Sequence, residues 1–307
     1  MERRRIGALE VSVAGLGCNN FGWRIDKEAT HAVVDAALEA GINFVDTADM
    51  YSAGESEEYL ADALGDRRNE VVLATKFGFS MGEGKSGASP AYVREAVDAS
   101  LSRLKTDYID LYQLHTPDPQ TPIADTLGAL GELVKAGKVR EIGCSNFTAD
   151  QLREAAAAAK AGAPRFVSVQ NEYSLLNRSP EAEVLPECKR HGLAFIPYFP
   201  LANGLLTGKY RKGQPIPEKS RGKDGWGPKV FTESNLELVE SLYSFASSRG
   251  HSLLELAVSW LAAQEGIASV IAGAKTPEQV KANALAASWA LSNEERAQID
   301  AIVLQAA

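Results

Sequence analysis

Ile42-Asn43-Phe44-Val45-Asp46-Thr47-Ala48-Asp49-Met50-Tyr51 is a short apolar run that stops at a carboxylate, and it sets how the rest of the chain is read. Its apolar part is too short for a helix but suits a strand buried on both faces, as in a parallel sheet. The pattern recurs outward from it. Val71-Val72-Leu73-Ala74-Thr75 stops at Lys76, and Tyr108-Ile109-Asp110-Leu111-Tyr112-Gln113-Leu114 stops at His115. Strands are thus expected at 13–17, 42–46, 71–75, 109–114, 139–143, 166–170, 193–198 and 269–271. Helical periodicity lies between them at 27–40, 90–104, 122–136, 149–161 and 180–191. Ser89 before Pro90 reads as an N-cap with proline at the first helical position, and Gly41, Gly137, Gly162 and Gly192 stand where helices stop.

Eight strands alternating with helices in 307 residues, without a Pro/Ser-rich linker, point to one α/β domain spanning 1–307. A closed (β/α)8 TIM barrel suits that count better than an open doubly wound sheet. Four features add to a bare barrel. Residues 5–11, with Gly7, read as a hairpin capping its floor, and 234–247 and 292–304 read as two extra helices. The Gly/Pro/Lys-rich stretch 203–230 reads as a flexible functional loop.

Composition narrows the function. A formal charge of −8 and a pI near 5.2 argue against general nucleic-acid or anionic-membrane binding, while leaving room for a local basic pocket. No apolar run is long enough to span a bilayer, and no signal-peptide run follows the basic Met1-Glu2-Arg3-Arg4-Arg5. Three scattered cysteines, Cys18, Cys144 and Cys188, fit a reducing compartment, so a cytoplasmic location is expected.

In a barrel the reactive groups come from the C-terminal ends of strands. The polar groups met there are Asp46, Lys76, His115, Ser145 with Asn146, Gln170, Tyr198 and Lys275, and the first strand exits through Gly17-Cys18-Asn19-Asn20. One such residue would be unremarkable; together they converge on one mouth. Lys76, so close to a buried strand, needs a counter-charge, and Asp46 supplies one from the neighbouring strand end. A phenol with a pKa near ~10 is a poor acid at neutral pH. An ammonium about 4 Å from Tyr51 would stabilise its phenolate by about 4 kcal/mol at an effective dielectric of ~20, on the order of two to three pKa units. A neutral His115 would hold a carbonyl oxygen or relay the proton. This set suits protonation of an oxygen while hydride reaches the adjoining carbon.

With these residues in place the chain resembles the aldo-keto reductase family, in particular bacterial-type members with a long cofactor loop. The family's Asp-Tyr-Lys-His tetrad matches Asp46, Tyr51, Lys76 and His115, which implies Tyr51 as general acid/base. Ser145, Asn146 and Gln170 resemble its contacts to the nicotinamide carboxamide. Tyr198, in Ile196-Pro197-Tyr198-Phe199-Pro200-Leu201, resembles the aromatic under the nicotinamide ring. The resemblance extends the cofactor contacts through Phe199, Pro200 and Leu201. It continues them through Gly204, Leu206, Gly208 and Lys209 of Gly204-Leu205-Leu206-Thr207-Gly208-Lys209-Tyr210. Ile271-Ala272-Gly273-Ala274-Lys275-Thr276-Pro277-Glu278-Gln279-Val280-Lys281-Ala282-Asn283 matches the closing signature, in which Gly273, Lys275, Gln279 and Asn283 would hold the adenosine and 2′-phosphate end of NADP(H).

The sequence departs from that pattern at four places. Phe199 replaces a frequent Ser, Gly273 and Gln279 replace a Lys and an Arg, and Ala282 replaces a polar residue. NADP(H) is therefore expected, with NAD(H) as the alternative. Phe21, Trp23, Met50, Phe77 and Trp226 stand where the family lines its substrate mouth. The implied partner is a small aldehyde, ketone, alcohol or sugar, and oligomeric state is left open. A cofactor-binding regulatory subunit with slow turnover is the rival reading. Gly82-Glu83-Gly84-Lys85-Ser86-Gly87 imitates a nucleotide loop but lacks the strand-to-helix setting such loops need. No metal site is expected, because His31, His191 and His251 lie on helical patterns far from suitable partners.

Overall fold

The computed structural model describes residues 1–159, 164–217, 220, 223 and 230–306. Two short strands open the chain, β1 (Arg3–Ile6) and β2 (Leu9–Ser12), joined as an antiparallel hairpin. Eight parallel strands follow: β3 (Ala14–Gly17), β4 (Phe44–Asp46), β5 (Val72–Phe77), β6 (Ile109–Leu114), β7 (Val139–Ser145), β8 (Ser168–Glu172), β9 (Ala194–Tyr198) and β10 (Val270–Gly273). Their order is β10-β3-β4-β5-β6-β7-β8-β9. The ends meet where the Phe195 N–H donates to Gly266 O at 2.9 Å and the Ala268 N–H donates to Phe195 O at 3.0 Å. The sheet thus curls into a (β/α)8 TIM barrel, as the strand count suggests.

Alternation along the strands sorts side chains between two apolar layers. Val72 and Ala74 face inward with Phe44, Leu111, Ile196 and Ala268, whereas Leu73 and Phe77 pack outward beneath the helices. The hairpin completes the inner layer. Ile6, Leu9 and Val11 are buried in the same cluster as Phe44, Val72 and Leu111, so the hairpin plugs the N-terminal end of the barrel. The opposite end is left for polar groups.

Helices run at Lys27–Glu39, Glu55–Leu64, Pro90–Leu104, Ile123–Lys135, Ala149–Ala158, Val184–His191, Glu233–Ser247, Leu253–Ala262, Pro277–Leu285 and Asn293–Ala306. Local chemistry sets several starts. The Ser89 hydroxyl accepts from the Tyr92 N–H ahead of Pro90, and Thr148–Gln151 and Ser252–Glu255 form reciprocal capping boxes. The two extra helices are present as Glu233–Ser247 and Asn293–Ala306. Leu253–Ala262 is apolar nearly all round and buried, so it carries no amphipathic stripe to announce it.

The 203–230 stretch begins in a 3-10 turn, Ala202–Thr207, anchored by buried Leu205 and Leu206. Further along, Tyr210 is buried and Arg211 pairs with Glu240 on the Glu233–Ser247 helix. Residues 218–219, 221–222 and 224–229, including Trp226, lie outside the described residues. The nucleotide-loop imitation 82–87 is a turn between β5 and the Pro90–Leu104 helix, closed by the Gly87 N–H on Gly78 O at 2.9 Å. Cys18, Cys144 and Cys188 are all buried free thiols. Among the described residues no helix is long and apolar enough to cross a membrane.

Candidate active site

Sheet register brings the polar strand ends together. Gly17 pairs with Asp46 on one side and Gly273 on the other, Lys76 pairs with Gln113, and Ser145 pairs with Gln170. The inward positions above the apolar layer are therefore Asp46, Lys76, Gln113 and Gln170. All four are buried. Asp46 is their hub: Oδ1 accepts from Lys76 Nζ, while Oδ2 accepts from Gln113 Nε2 at 3.1 Å and Gln170 Nε2 at 2.9 Å. Lys76, 0% exposed, also donates to Thr47 O at 2.9 Å. Burial works against its charge, but the Asp46 carboxylate and then the Tyr51 phenol outweigh that and hold the ammonium above its ordinary pKa.

Tyr51 stands over this pair, half-buried, with Lys76 Nζ 5.2 Å from its ring centroid. Burial pushes its phenol above the ordinary value, Lys76 pulls it down, and Asp46 pushes it back up. This corrects the Coulomb-only expectation of an acidified phenol. An ammonium already paired with a carboxylate has little net field to spare, and desolvation of the phenolate wins. Tyr51 is therefore protonated at neutral pH and can donate. His115 meets it edge-on, ring centroids 5.9 Å apart, and Phe79 packs its ring edge-to-face with His115 at 4.6 Å. Burial and the Lys76 charge hold His115 well below the usual imidazole range, so the ring is neutral. Its Nδ1 has no partner among the described residues, so no second hydrogen bond fixes the tautomer.

These groups open into a cavity of about 690 Å³ that runs across the strand ends. Asp46, Tyr51 and His115 line one part of it. Ser145, Asn146, Gln170 and Tyr198 line the middle, where the Tyr198 hydroxyl donates to Asn146 Oδ1 at 2.8 Å and Asn146 Nδ2 donates to His115 O at 2.9 Å. Phe199, Pro200, Leu201, Gly204 and Lys209 continue the wall to Gly273, Lys275, Gln279 and Asn283. Gln279 has a structural task as well, its Oε1 accepting from the Lys275 N–H at 2.8 Å. Catalytic-type groups at one part, amides and an aromatic in the middle and lysines at the other suit a long ligand with a flat ring and anionic groups.

Several expected residues lie elsewhere. Lys76 sits behind the wall, beneath Tyr51. Of the four substrate-mouth candidates among the described residues only Met50 lines the cavity. Phe77 cannot, because it follows Lys76 on one strand and must face the other way; it stacks on Tyr112 at 4.7 Å. Phe21 is fully buried, and Trp23 is 60% exposed beneath the Arg24 guanidinium. Leu206 is core, Gly208 is off the wall, and Trp226 is outside the described residues. Conversely, Gln113, Arg24, Phe79, Thr116 and Leu254 belong to the site without having been expected there. Gln113 carried a signal, since it lies two residues before His115 and shares its face. Leu254, from a distant helix start, carried none.

The model of the Aldo/keto reductase family matches residues 14–304. An uncharacterized oxidoreductase, YqkF, of Bacillus subtilis is 36% identical over 301 residues, covering 96% of this chain and 94% of its own. The aldo-keto reductase YhdN of the same organism is 35% identical, covering 96% of this chain and 91% of its own. A probable voltage-gated potassium channel subunit beta of rice is 33% identical, covering 92% and 90%. A barrel whose strand ends gather Asp46, Lys76, Tyr51 and His115, matched from end to end by that family's model, belongs to the aldo/keto reductase family of oxidoreductases.

Proposed function

We propose that the protein is an NADP(H)-dependent oxidoreductase acting on the carbonyl or alcohol group of a small aldehyde, ketone or sugar, with Tyr51 as general acid/base. The observation that carries this reading is a fully buried Asp46–Lys76 ion pair directly beneath a phenol that faces the cavity. A structural ion pair needs no phenol above it, whereas proton transfer to a carbonyl needs a donor whose conjugate base has a nearby cation. NAD(H) is the alternative cofactor.

Nicotinamide, when bound, supplies or accepts the hydride. The residues that would hold it fit its chemistry: Asn146, Ser145 and Gln170 offer amide and hydroxyl partners for a carboxamide, and Tyr198 offers a ring face. Lys209, Lys275 and Asn283 would take the phosphates and adenosine. For reduction, the Tyr51 hydroxyl donates its proton to the substrate oxygen, and Lys76 stabilises the phenolate left behind. Asp46 keeps Lys76 charged and aimed. His115, being neutral, donates a hydrogen bond to the same oxygen without competing as an acid. Met50, Phe79 and Thr116 shape the space beside these groups and would exclude water from the reacting carbon.

The test is loss of NADPH absorbance with a panel of small aldehydes, wild type against Tyr51→Phe. Removing a positioned general acid is expected to lower turnover by about 10²–10⁴-fold while cofactor binding persists. Undiminished turnover in the variant would overturn the role of Tyr51. The regulatory-subunit reading draws support from the name of the rice relative; tight cofactor binding with no turnover in either protein would favour it.

A further inference from the structure

We propose that Asp49 is a positioning residue for Tyr51: the start of the strained backbone arch of residues 50–54 hangs on it, and its buried carboxyl sets the balance of charge around that arch. The proposal rests on Tyr51 as the proton-transfer group.

The arch is closed by a turn bond, the Ala53 N–H on Met50 O at 3.2 Å, but its backbone is strained. Directly after Tyr51 the chain runs through three consecutive left-handed residues, Ser52 (φ 49°), Ala53 (φ 53°) and Gly54 (φ 102°). Two adjacent non-glycine residues in that region are strained, and such strain persists only where the surroundings impose it. Three contacts do so. The Asp49 N–H donates to Lys76 O at 3.0 Å, tying the start of the arch to the strand that carries the ammonium. Ser52 Oγ donates to Phe21 O at 2.9 Å. At the far end Arg103 lies so close under Gly54 that a Cβ there would meet its Cδ at 2.7 Å.

The side chains below the arch nearly balance. Glu57, 0% exposed, accepts from Arg103 Nε at 2.6 Å and from Thr75 Oγ1 at 2.6 Å, and Asp46 answers Lys76. Asp49, 1% exposed, is the odd carboxyl, and its Oδ1 has no hydrogen-bond partner among the described residues. It is faced by Glu57 from the Glu55–Leu64 helix, Arg103 and Tyr92 from the Pro90–Leu104 helix, Lys76 from β5 and Tyr112 from β6. The hydroxyl of Tyr112 is likewise buried without a partner among the described residues. Burial first, then the Glu57 charge, push the Asp49 carboxyl up to about 7, against the Met50 amide, Arg103 and Lys76.

With its proton on, Asp49 leaves two matched ion pairs beneath the arch. Without it, one uncompensated negative charge is buried there. That charge opposes formation of a phenolate at Tyr51 and favours entry of water under a backbone already strained. Both effects slow proton transfer.

The experiment is a pH profile of turnover from about pH 5 to about pH 9 for wild type and Asp49→Asn, with ligand-free thermal unfolding over the same range. Wild type is expected to lose turnover severalfold through an ionisation near neutrality, and Asp49→Asn to lack that step. Profiles of the same shape, whatever their absolute rates, would overturn the proposal. A carboxyl with a raised folded-state pKa contributes stability that is fully present below its unfolded value of 3.8 and lost as the pH rises through about 7. The melting temperature of Asp49→Asn relative to wild type must therefore rise between those limits; a pH-independent difference counts against the idea. Should Asp49→Asn fold poorly, Glu57→Gln frees Arg103 for Asp49 and must move the wild-type step to lower pH, and an unmoved step overturns the proposal. Failure of the parent reading shows separately, as undiminished turnover in Tyr51→Phe, whereas the unfolding measurement needs no turnover.

Discussion

Lys76 and Asp46 illustrate how a single pair can serve both stability and chemistry. Both are buried, and Asp46 satisfies its remaining valence through Gln113 and Gln170. Replacing Lys76 by Met leaves a buried carboxylate with only amide donors, and breaking such a pair costs about 3–5 kcal/mol. The sequence already sets Lys76 against a buried strand with Asp46 as its counter-charge, and the structure adds that both are enclosed. The structure predicts a large fall in unfolding free energy together with loss of turnover. Asp46→Asn added to Lys76→Met should restore much of the stability and none of the activity. Denaturant unfolding of both variants decides the point; a single-variant cost below about 1 kcal/mol would show that the pair is solvated after all. The same comparison explains the phenol. Coulomb attraction was readable from Lys76 and Tyr51 as residue types, but desolvation and the answering charge of Asp46 depend on depth, which only the fold provides.

Strands and helices differ in how openly the sequence declares them. β5 shows its ends and its inward face in Val71-Val72-Leu73-Ala74-Thr75-Lys76, and strict alternation already forbids Lys76 and Phe77 from sharing a cavity. β6 likewise places Leu111, Gln113 and His115 on one face. By contrast Leu253–Ala262 is buried nearly all round, so nothing in its periodicity says that Leu254 reaches the cavity. The hairpin lies between these cases: Gly7 marks its turn, but its role as barrel floor needs the partners of Ile6, Leu9 and Val11. Ile6→Ala removes a fully buried side chain from that floor and should cost about 2–5 kcal/mol by chemical denaturation. Because the floor is the end opposite the cavity, Michaelis constants for cofactor and carbonyl should stay near wild type, and a large change in them would show that the floor shapes the mouth. Thr148→Ala removes one half of a reciprocal cap and should cost about 1 kcal/mol in the same measurement.

Charge at the scale of the whole molecule runs opposite to charge in the cavity. The chain carries a formal −8, yet among the described cavity residues the cations are Arg24, Lys209 and Lys275, and the carboxylate of Asp46 is already matched by Lys76. An anionic dinucleotide thus approaches a repelling body and meets an attracting cleft. Salt acts on the two unequally. At 0.1 M ionic strength the Debye length is about 10 Å, so distant surface charges are screened first while contacts at van der Waals range inside the cleft are screened least. Raising salt is therefore expected to speed association, as the distant repulsion is screened, and to change dissociation little. Stopped-flow binding of NADPH and NADH at low and high salt separates the two rates. Lys275→Ala should lower affinity for NADPH by about tenfold and leave NADH nearly unchanged, in line with about 1–2 kcal/mol for a partly solvated charge-assisted contact. Equal losses for both dinucleotides would place the 2′-phosphate away from Lys275, and the preference between the cofactors would then rest on Arg24 and Lys209 or on shape alone.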